Sequence, residues 1–453
     1  MMNTRTTPQP ASSLLPAAAA RARTRAFALL LAVAAFPCAL PAQTLPPVNG
    51  TYEFYADTLY DGSGGLITNT VTADTIWRVA DGVTVTVTSN TVTANTNGGI
   101  FGAGVVKTIR IEPIGTTGRV EFIGNVTKGQ GAVFGMGMSP AKIQLVNVAF
   151  IGNQGTRDTL GSQGGAASGG GVIYSASGGQ IDMTNVLFQG NSARHGGGIL
   201  ASCNVNITSG TFIGNRANSR NYSTDVSSTA ATSLMGNTHS GYGGAIMLNH
   251  SGMKLMIARE STFTGNWARR GGGAVNARSR HSIEFWDTVD ISDNFAGQGG
   301  ALGSAINVTE EGEGIFFKYT GTTGVTDYVY SGNVAKGSDM DAVEITESEI
   351  TGLPSFAPLA RGGGFYFASN RNEANAKPRL YFDIATGVTV QIGKASNPSS
   401  YDSIATSDVT GTLSRFDLTG TGAGRLILHA DNSYFQGTVN VGTGALLLGN
   451  QNA

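Results

Sequence analysis

Few side chains in this sequence have the type and spacing to do chemistry. Asp287, Asp290 and Asp293 stand three residues apart, and Glu310, Glu311 and Glu313 surround Gly312. Clustered carboxylates, or carboxylates holding Ca²⁺ beside an Arg or Lys base, are what a polysaccharide lyase or glycoside hydrolase needs. Both clusters read more simply as solvated turns and strand edges, where acids ordinarily sit. His195, His239, His250, His281 and His429 share no metal-ligand spacing. No cofactor and no metal are therefore expected. Cys203 follows a Gly-Gly-Gly strand and reads as a small buried core residue.

One group of bases has a positional logic. Aligned on a recurring Asn, Arg194 falls with Arg269 and His195 with Arg270, just before a Gly cluster in each case. Lys128 occupies the slot of Arg194 in its own copy, and Arg361 directly precedes Gly362-Gly363-Gly364. Stacked coils would turn these six residues into a broken basic column able to hold an acidic glycan or surface polymer. The plainer reading, in which long Arg stems shield a Gly-rich corner, is preferred.

The elements that would position such a column are written in a repeat. An aromatic, two residues and an Asn recur at Phe122–Asn125, Phe150–Asn153, Phe188–Asn191, Phe212–Asn215 and Phe263–Asn266, with looser copies at Ile291–Asn294 and Tyr330–Asn333. Gly precedes the Asn in all but one copy, where Asp293 stands instead. Gly clusters follow, as in Gly196-Gly197-Gly198-Ile199 and Gly243-Gly244-Ala245-Ile246. Equal gaps separate Asn191 from Gly196, Asn266 from Gly271 and Asn294 from Gly299.

A stack of short parallel strands explains this text. Coils about 4.8 Å apart place equivalent residues on one another. Inward Phe residues then form an apolar column, Gly supplies a turn that a side chain would resist, and stacked Asn amides bond along the axis. The segments between are short and β-rich, with no long 3.6-residue period after the leader. The uneven spacing between Asn residues, from 24 to 51, implies single coils plus either protruding loops or additional coils. The expected loops are Asn218 to Ser240, rich in Ser, Thr and Asn, and Asp339 to Pro358. A Thr array at Thr84, Thr86 and Thr88 suits an ice or crystal face only if it recurs on successive coils, and it occurs once.

Composition agrees. Glycine fills 65 of 453 positions, and only 13% of residues are charged. Two cysteines exclude a disulfide scaffold, and Gly without a triplet period excludes collagen. Residues 1–42 read as a signal peptide: Arg5, Arg21, Arg23 and Arg25, then the apolar run Ala26 to Phe36, then Cys38-Ala39-Leu40-Pro41-Ala42. Removing its four Arg takes the 29 basic residues to 25 against 30 acidic ones, a formal charge of −5. That balance gives no case for nucleic acid. No later apolar run is long enough to span a bilayer as a helix.

Repeated Phe-x-x-Asn with Gly-Gly-Ala-(Ile/Val/Leu), between about Phe122 and Phe367, resembles the passenger region of polymorphic outer-membrane proteins, a group of autotransporters. The stretch from Leu418 to Asn450, with Arg425-Leu426-Ile427-Leu428 and Gly444-Ala445-Leu446-Leu447-Leu448, is similar to autotransporter-associated β-strand repeats. The resemblance implies an exported right-handed parallel β-helix with an adhesive or structural role at the cell surface or outside the cell. A cell-surface glycan or a protein ligand is its implied partner. Members of the group normally finish in an outer-membrane β-barrel, whereas the text up to Ala453 still reads as stalk repeat. They also often carry many Cys.

The expectation is thus an all-β chain: a right-handed parallel β-helix, or β-solenoid. Residues 1–42 are the leader and 43–120 the cap and first coils, with Tyr52, Phe54 and Tyr55 covering the open end. Residues 121–370 form the Phe-x-x-Asn repeat, and 371–453 the last coils and stalk-type repeat. A polysaccharide-acting enzyme on the same scaffold is the alternative.

Overall fold

The computed structural model describes residues 47–62, 70–92, 99–103, 107–127, 130–136, 141–155, 169–175, 178–217, 241–249, 252–277, 282–286, 289–298, 302–306, 314–320, 327–331, 333–335, 365–369, 379–393, 404–408, 416–421, 423–429, 437–441 and 446–449. They belong to one compact unit, Gln43–Ala453. The unit Met1–Ala42, which holds the expected leader, lies outside the described residues. So do the two expected loops.

Every regular element among the described residues is a strand, and the strands form three parallel sheets of 21, 8 and 10 strands. The chain visits the sheets in rotation. Gln180–Gln189 lies in the first sheet, Ser192–Ala193 in the second and Ile199–Ala201 in the third, before Asn204–Ile213 re-enters the first. Each coil returns in register with the one before, pairing Ile181 with Val205, Phe188 with Phe212 and Ser192 with Arg216. This is a parallel β-helix, and none of its sheets closes into a barrel.

Alternation within strands builds the core. Thr84–Thr88 and Ser282–Trp286 each bury every second side chain, as a sheet with one wet face must. Phe122, Phe150, Phe188, Phe212 and Phe263 stack in register, fully buried, with ring centres 5.4, 4.7, 4.7 and 4.6 Å apart. Ile291 and Tyr330 continue the column. Thr84, Thr86 and Thr88 pair with Arg119, Glu121 and Ile123, so the Thr array stops after one coil.

Beside the rings runs a buried ladder of amides. Asn191 donates from Nδ2 to Oδ1 of Asn215 at 2.9 Å and to the carbonyl of Phe150 at 3.0 Å. Its own Oδ1 accepts from the backbone N–H and Nδ2 of Asn153, at 2.9 and 3.0 Å. The same Nδ2-to-Oδ1 link joins Asn90, Asn125, Asn153, Asn191, Asn215, Asn266, Asn294 and Asn333 in turn, all at 0% exposure. Direct bonding of Asn215 to Asn266 settles the 51-residue gap: it is one coil carrying an insertion. The 38- and 39-residue gaps are single coils for the same reason.

The ladder also reveals a copy that the spelling hides. Val87-Thr88-Ser89-Asn90 holds the same place, with Val for the aromatic and Ser for the Gly. Ser89 and Asp293 adopt φ of 58° and 55°, and Gly124, Gly152, Gly190, Gly214 and Gly265 lie between 61° and 64°. The turn thus requires a left-handed residue rather than an absent side chain; a Cβ at Gly190 would meet nothing within 4 Å. Gly190→Ala is expected to cost about 1 kcal/mol, and Gly190→Asn distinctly less, because Asn tolerates this backbone region. Equal stability of the two variants in denaturant titration would contradict this.

At the N-terminal end Phe54, Tyr60, Trp77 and Phe101 close the core as a cluster of rings, with Phe54 5.4 Å from Trp77 and Trp77 5.3 Å from Phe101. Tyr52 packs partly against it, and its hydroxyl donates to Val48 O. Tyr55 departs from expectation: it follows the end of the strand Gly50–Phe54, is 69% exposed, and its hydroxyl donates to Glu53 Oε2 at 2.7 Å.

Exposed corners are pinned between coils by side-chain acceptors. Asp81 Oδ1 accepts the backbone N–H groups of Thr116 and Thr117, each at 2.7 Å, and the Thr117 hydroxyl at 3.1 Å. These bonds, the Thr117 N–H first, hold its pKa below the ordinary 3.8. A depressed acid contributes stability above its unfolded pKa and loses it as pH falls through the folded one. The stability advantage of wild type over Asp81→Asn should therefore be present at pH 7 and shrink below about pH 3.8. A pH-independent difference in melting temperature would overturn the assignment.

Among the described residues, the last strand of the second sheet is Val334–Ala335 and that of the third Ile404–Asp408. Phe416–Thr421, Arg425–Leu428, Gly437–Val441 and Leu446–Gly449 all extend the first sheet.

Candidate functional site

In sequence, Lys128, Arg194, His195 and Arg361 fall between a strand of the second sheet and the next strand of the third, while Arg269 and Arg270 lie within a second-sheet strand. Lys128 follows Val126–Thr127, and Arg194 and His195 follow Ser192–Ala193. Arg269 and Arg270 end the strand Trp267–Gly271, and Arg361 falls between Val334–Ala335 and Phe365–Ser369. Lys128 and Arg361 lie outside the described residues, as do the side-chain surroundings of Arg269 and Arg270. In sequence, the stretches 156–168, 218–240 and 336–364 also fall between a second-sheet strand and the next third-sheet strand, and all three lie outside the described residues.

Register corrects the alignment of the column. Gly196 donates its N–H to Tyr242 O and Gly243 donates to Gly271 O, and Tyr242 bridges Gly271. His195 therefore stacks on Tyr242 and Gly271, not on Arg270. Upstream, Ala193, Ala217 and Ala268 are in register. One residue separates Ala193 from His195, but two separate Ala268 from Gly271, where the pairing shifts. Arg269-Arg270 thus forms a bulge with one extra residue, so the equal Asn-to-Gly gaps do not mean equal positions.

Among the described side chains, Arg194 and His195 are half-buried. The His195 ring lies 6.1 Å from that of Tyr242, nearly coplanar in orientation at 4°. One strand earlier in the coil, the Arg216 guanidinium stands 5.7 Å from the Trp267 ring centre, a cation–π contact. Tyr242 and Arg216 were absent from the sequence candidates. Their only sequence signal is position, immediately before a Gly cluster and immediately after a ladder Asn.

The glycines beneath the corner are structurally required. A Cβ on Gly171 would come 2.0 Å from Gly197 O, on Gly197 2.2 Å from Gly244 O, and on Gly244 2.0 Å from Gly273 O. Each carbonyl of one coil occupies the space a side chain would need on the coil before.

The other sequence candidates have plainer places. Asp293 provides the left-handed turn residue before Asn294, and Asp290 is exposed in the strand Val289–Ser292. Asp287 and the Glu310–Glu313 turn lie outside the described residues, as do His239, His250 and His281. Among the described residues, no three His, Cys, Asp or Glu side chains gather as a metal-holding group. Cys203 is 1% exposed, its Sγ donates to Ser175 Oγ at 3.2 Å, and burial pushes its pKa up to about 11. At pH 8 roughly one thiol in a thousand is then ionised. Iodoacetamide should leave the native protein unlabelled and modify it after denaturation; rapid native labelling by mass spectrometry would contradict the burial.

The fold defines the class: a parallel β-helix. The Chlamydia polymorphic membrane protein (Chlamydia_PMP) repeat matches residues 185–202, which run from the first sheet through Phe188, Asn191 and the Gly196 cluster. Over 394 residues the chain is 26% identical to "Probable autotransporter YfaL" of Escherichia coli (strain K12), an alignment covering 83% of this chain and 25% of that protein. The chain thus spans about a quarter of that relative's length. No solved structure matches the chain. In both comparisons the chain is similar to autotransporter proteins, through a polymorphic-membrane-protein repeat and through an alignment over most of its length. Among the described residues no helix is long and apolar enough to cross a membrane.

Proposed function

We propose that the chain is a non-enzymatic adhesive passenger, presenting the second-to-third-sheet connections to a cell-surface glycan or protein ligand. One observation supports this: in sequence, the long stretch 218–240 and the basic candidates fall at the end of a second-sheet strand or between it and the next third-sheet strand of a stack whose coils repeat in register. A solenoid displays repeated positions along one edge, and insertions confined to one edge are characteristic of its binding face. Against the mature charge of −5, Arg194, Arg269 and Arg270 offer local attraction for an acidic polymer.

Two variants test the reading. Replacing 218–240 by a short Gly-Ser link should abolish or strongly reduce attachment of displaying cells to their host surface while the stack still folds. Replacing Arg194, Arg269 and Arg270 by Ser should reduce salt-sensitive retention on an anionic polysaccharide. Unchanged attachment in the first would remove the loop from the account. Unchanged, salt-insensitive retention in the second would remove the basic residues.

A further inference from the structure

Trp286 stands apart from the other two tryptophans. Trp77 and Trp267 are 0% and 2% exposed, whereas Trp286 is half-buried at the end of Ser282–Trp286, on the side of the strand opposite to the buried Ile283 and Phe285. Its in-register neighbour on the preceding coil is Ala258, too small to cover an indole. Polar groups of three adjacent coils surround it. Lys254 Nζ lies 2.8 Å from Glu284 Oε2, and Trp286 Nε1 donates to that same oxygen at 3.2 Å. Lys318, in register with Glu284, holds its ammonium 6.0 Å from the indole centre, and Asp383 follows in register on the next coil.

We propose that Trp286, Glu284, Lys254 and Lys318 form a binding subsite for one neutral hexopyranose unit of a glycan. The apolar C–H face of a pyranose suits the electron-rich indole face. Glu284 Oε1, which makes no ion pair among the described residues, is the acceptor for a sugar hydroxyl, and the flexible Lys318 ammonium is the donor. Glu284 is fixed in advance: its side chain is 12% exposed and is held by Lys254 and Trp286. Ammonium and carboxylate groups stand side by side around the indole, so the site discriminates hydroxyl pattern rather than net charge. That sets it apart from the basic corner, which lies on different sheets, and the proposal stands without the adhesive reading.

Intrinsic tryptophan fluorescence reports on the site, because solvent and ligand reach Trp286 while Trp77 and Trp267 are buried. The full chain is titrated with glucose-, galactose- and mannose-based tetrasaccharides, and with tetragalacturonate as the charged control. At least one neutral oligosaccharide should give a saturable change that persists in high salt. Trp286→Ala also deletes the reporter, so variants are measured by calorimetry after circular dichroism has verified the fold. Trp286→Ala should weaken binding about tenfold or more, the loss typical of a central aromatic anchor, and Lys318→Gln should weaken it several-fold. The Arg194, Arg269 and Arg270 triple variant should bind the neutral sugar as wild type does. No saturable signal with any neutral glycan would overturn the proposal. So would undiminished binding in both Trp286→Ala and Lys318→Gln, or a salt-labile preference for tetragalacturonate.

Discussion

Asn191→Ala is expected to destabilise the coils around it by on the order of 4 kcal/mol, although it removes only a small polar side chain. The amide makes four hydrogen bonds at 0% exposure. Its loss leaves the Phe150 carbonyl and both Asn153 donors without their partner in a place water does not reach. Each buried group so orphaned costs about 1–3 kcal/mol, partly relieved by relaxation. Asn191→Asp keeps the acceptor but loses both donations, and sets a buried carboxylate against Asn215 Oδ1 and Phe150 O; it should be at least as damaging at neutral pH. A solenoid is stabilised largely by neighbour-to-neighbour contacts, so the damage should be local. Hydrogen exchange should accelerate in Lys142–Ile151, Gln180–Gln189 and Asn204–Ile213 while Arg425–Leu428 keeps its protection. A uniform change, or none, would show that the amides do not couple adjacent coils.

Gly244→Ala is the second large effect. The new Cβ would fall 2.0 Å from Gly273 O and 2.7 Å from both N and O of Trp267, all backbone atoms that cannot swing aside. The coil would have to open there, at a cost above about 3 kcal/mol or with loss of folding. Gly190→Ala is the control, since both add one methyl to a conserved-looking word yet only one meets an obstacle. Limited proteolysis separates them. The Gly244 variant should be cut at or beside its coil under conditions where the Gly190 variant is intact, and similar resistance in both would contradict the packing.

Much of this architecture can be read from spelling. Phe188, Asn191 and Gly197 are what any residue at those places must be: a ring that fills the column, an amide with two donors and a strong acceptor, and a backbone that admits a neighbour's carbonyl. Where chemistry allows a substitute, the text goes silent. Ser89 reaches the left-handed region and Val87 fills the column well enough, so the Asn90 copy is not visible as a word. The alignment of His195 with Arg270 misleads for another reason. Counting from Asn266 cannot detect the extra residue at Arg269-Arg270, because a bulge changes register without changing composition. Nor does spelling separate Trp286 from Trp77; only the opposite faces of their strands do.

The central claim is that coils distant in sequence are stacked one strand spacing apart. Arg110, Gln144, Asp182, Asn206, Met256, Glu284, Lys318 and Asp383 occupy one line of the first sheet, seven steps from end to end. Spin labels on cysteines at Arg110 and Asp383 should lie about 34 Å apart, and at Arg110 and Lys318 about 29 Å, from a spacing near 4.8 Å per step. The buried Cys203 should take no label. Pulsed electron resonance distances that rise by one strand spacing per coil are the predicted result. Distances that do not follow coil number, or that track the number of intervening residues, would contradict the stack.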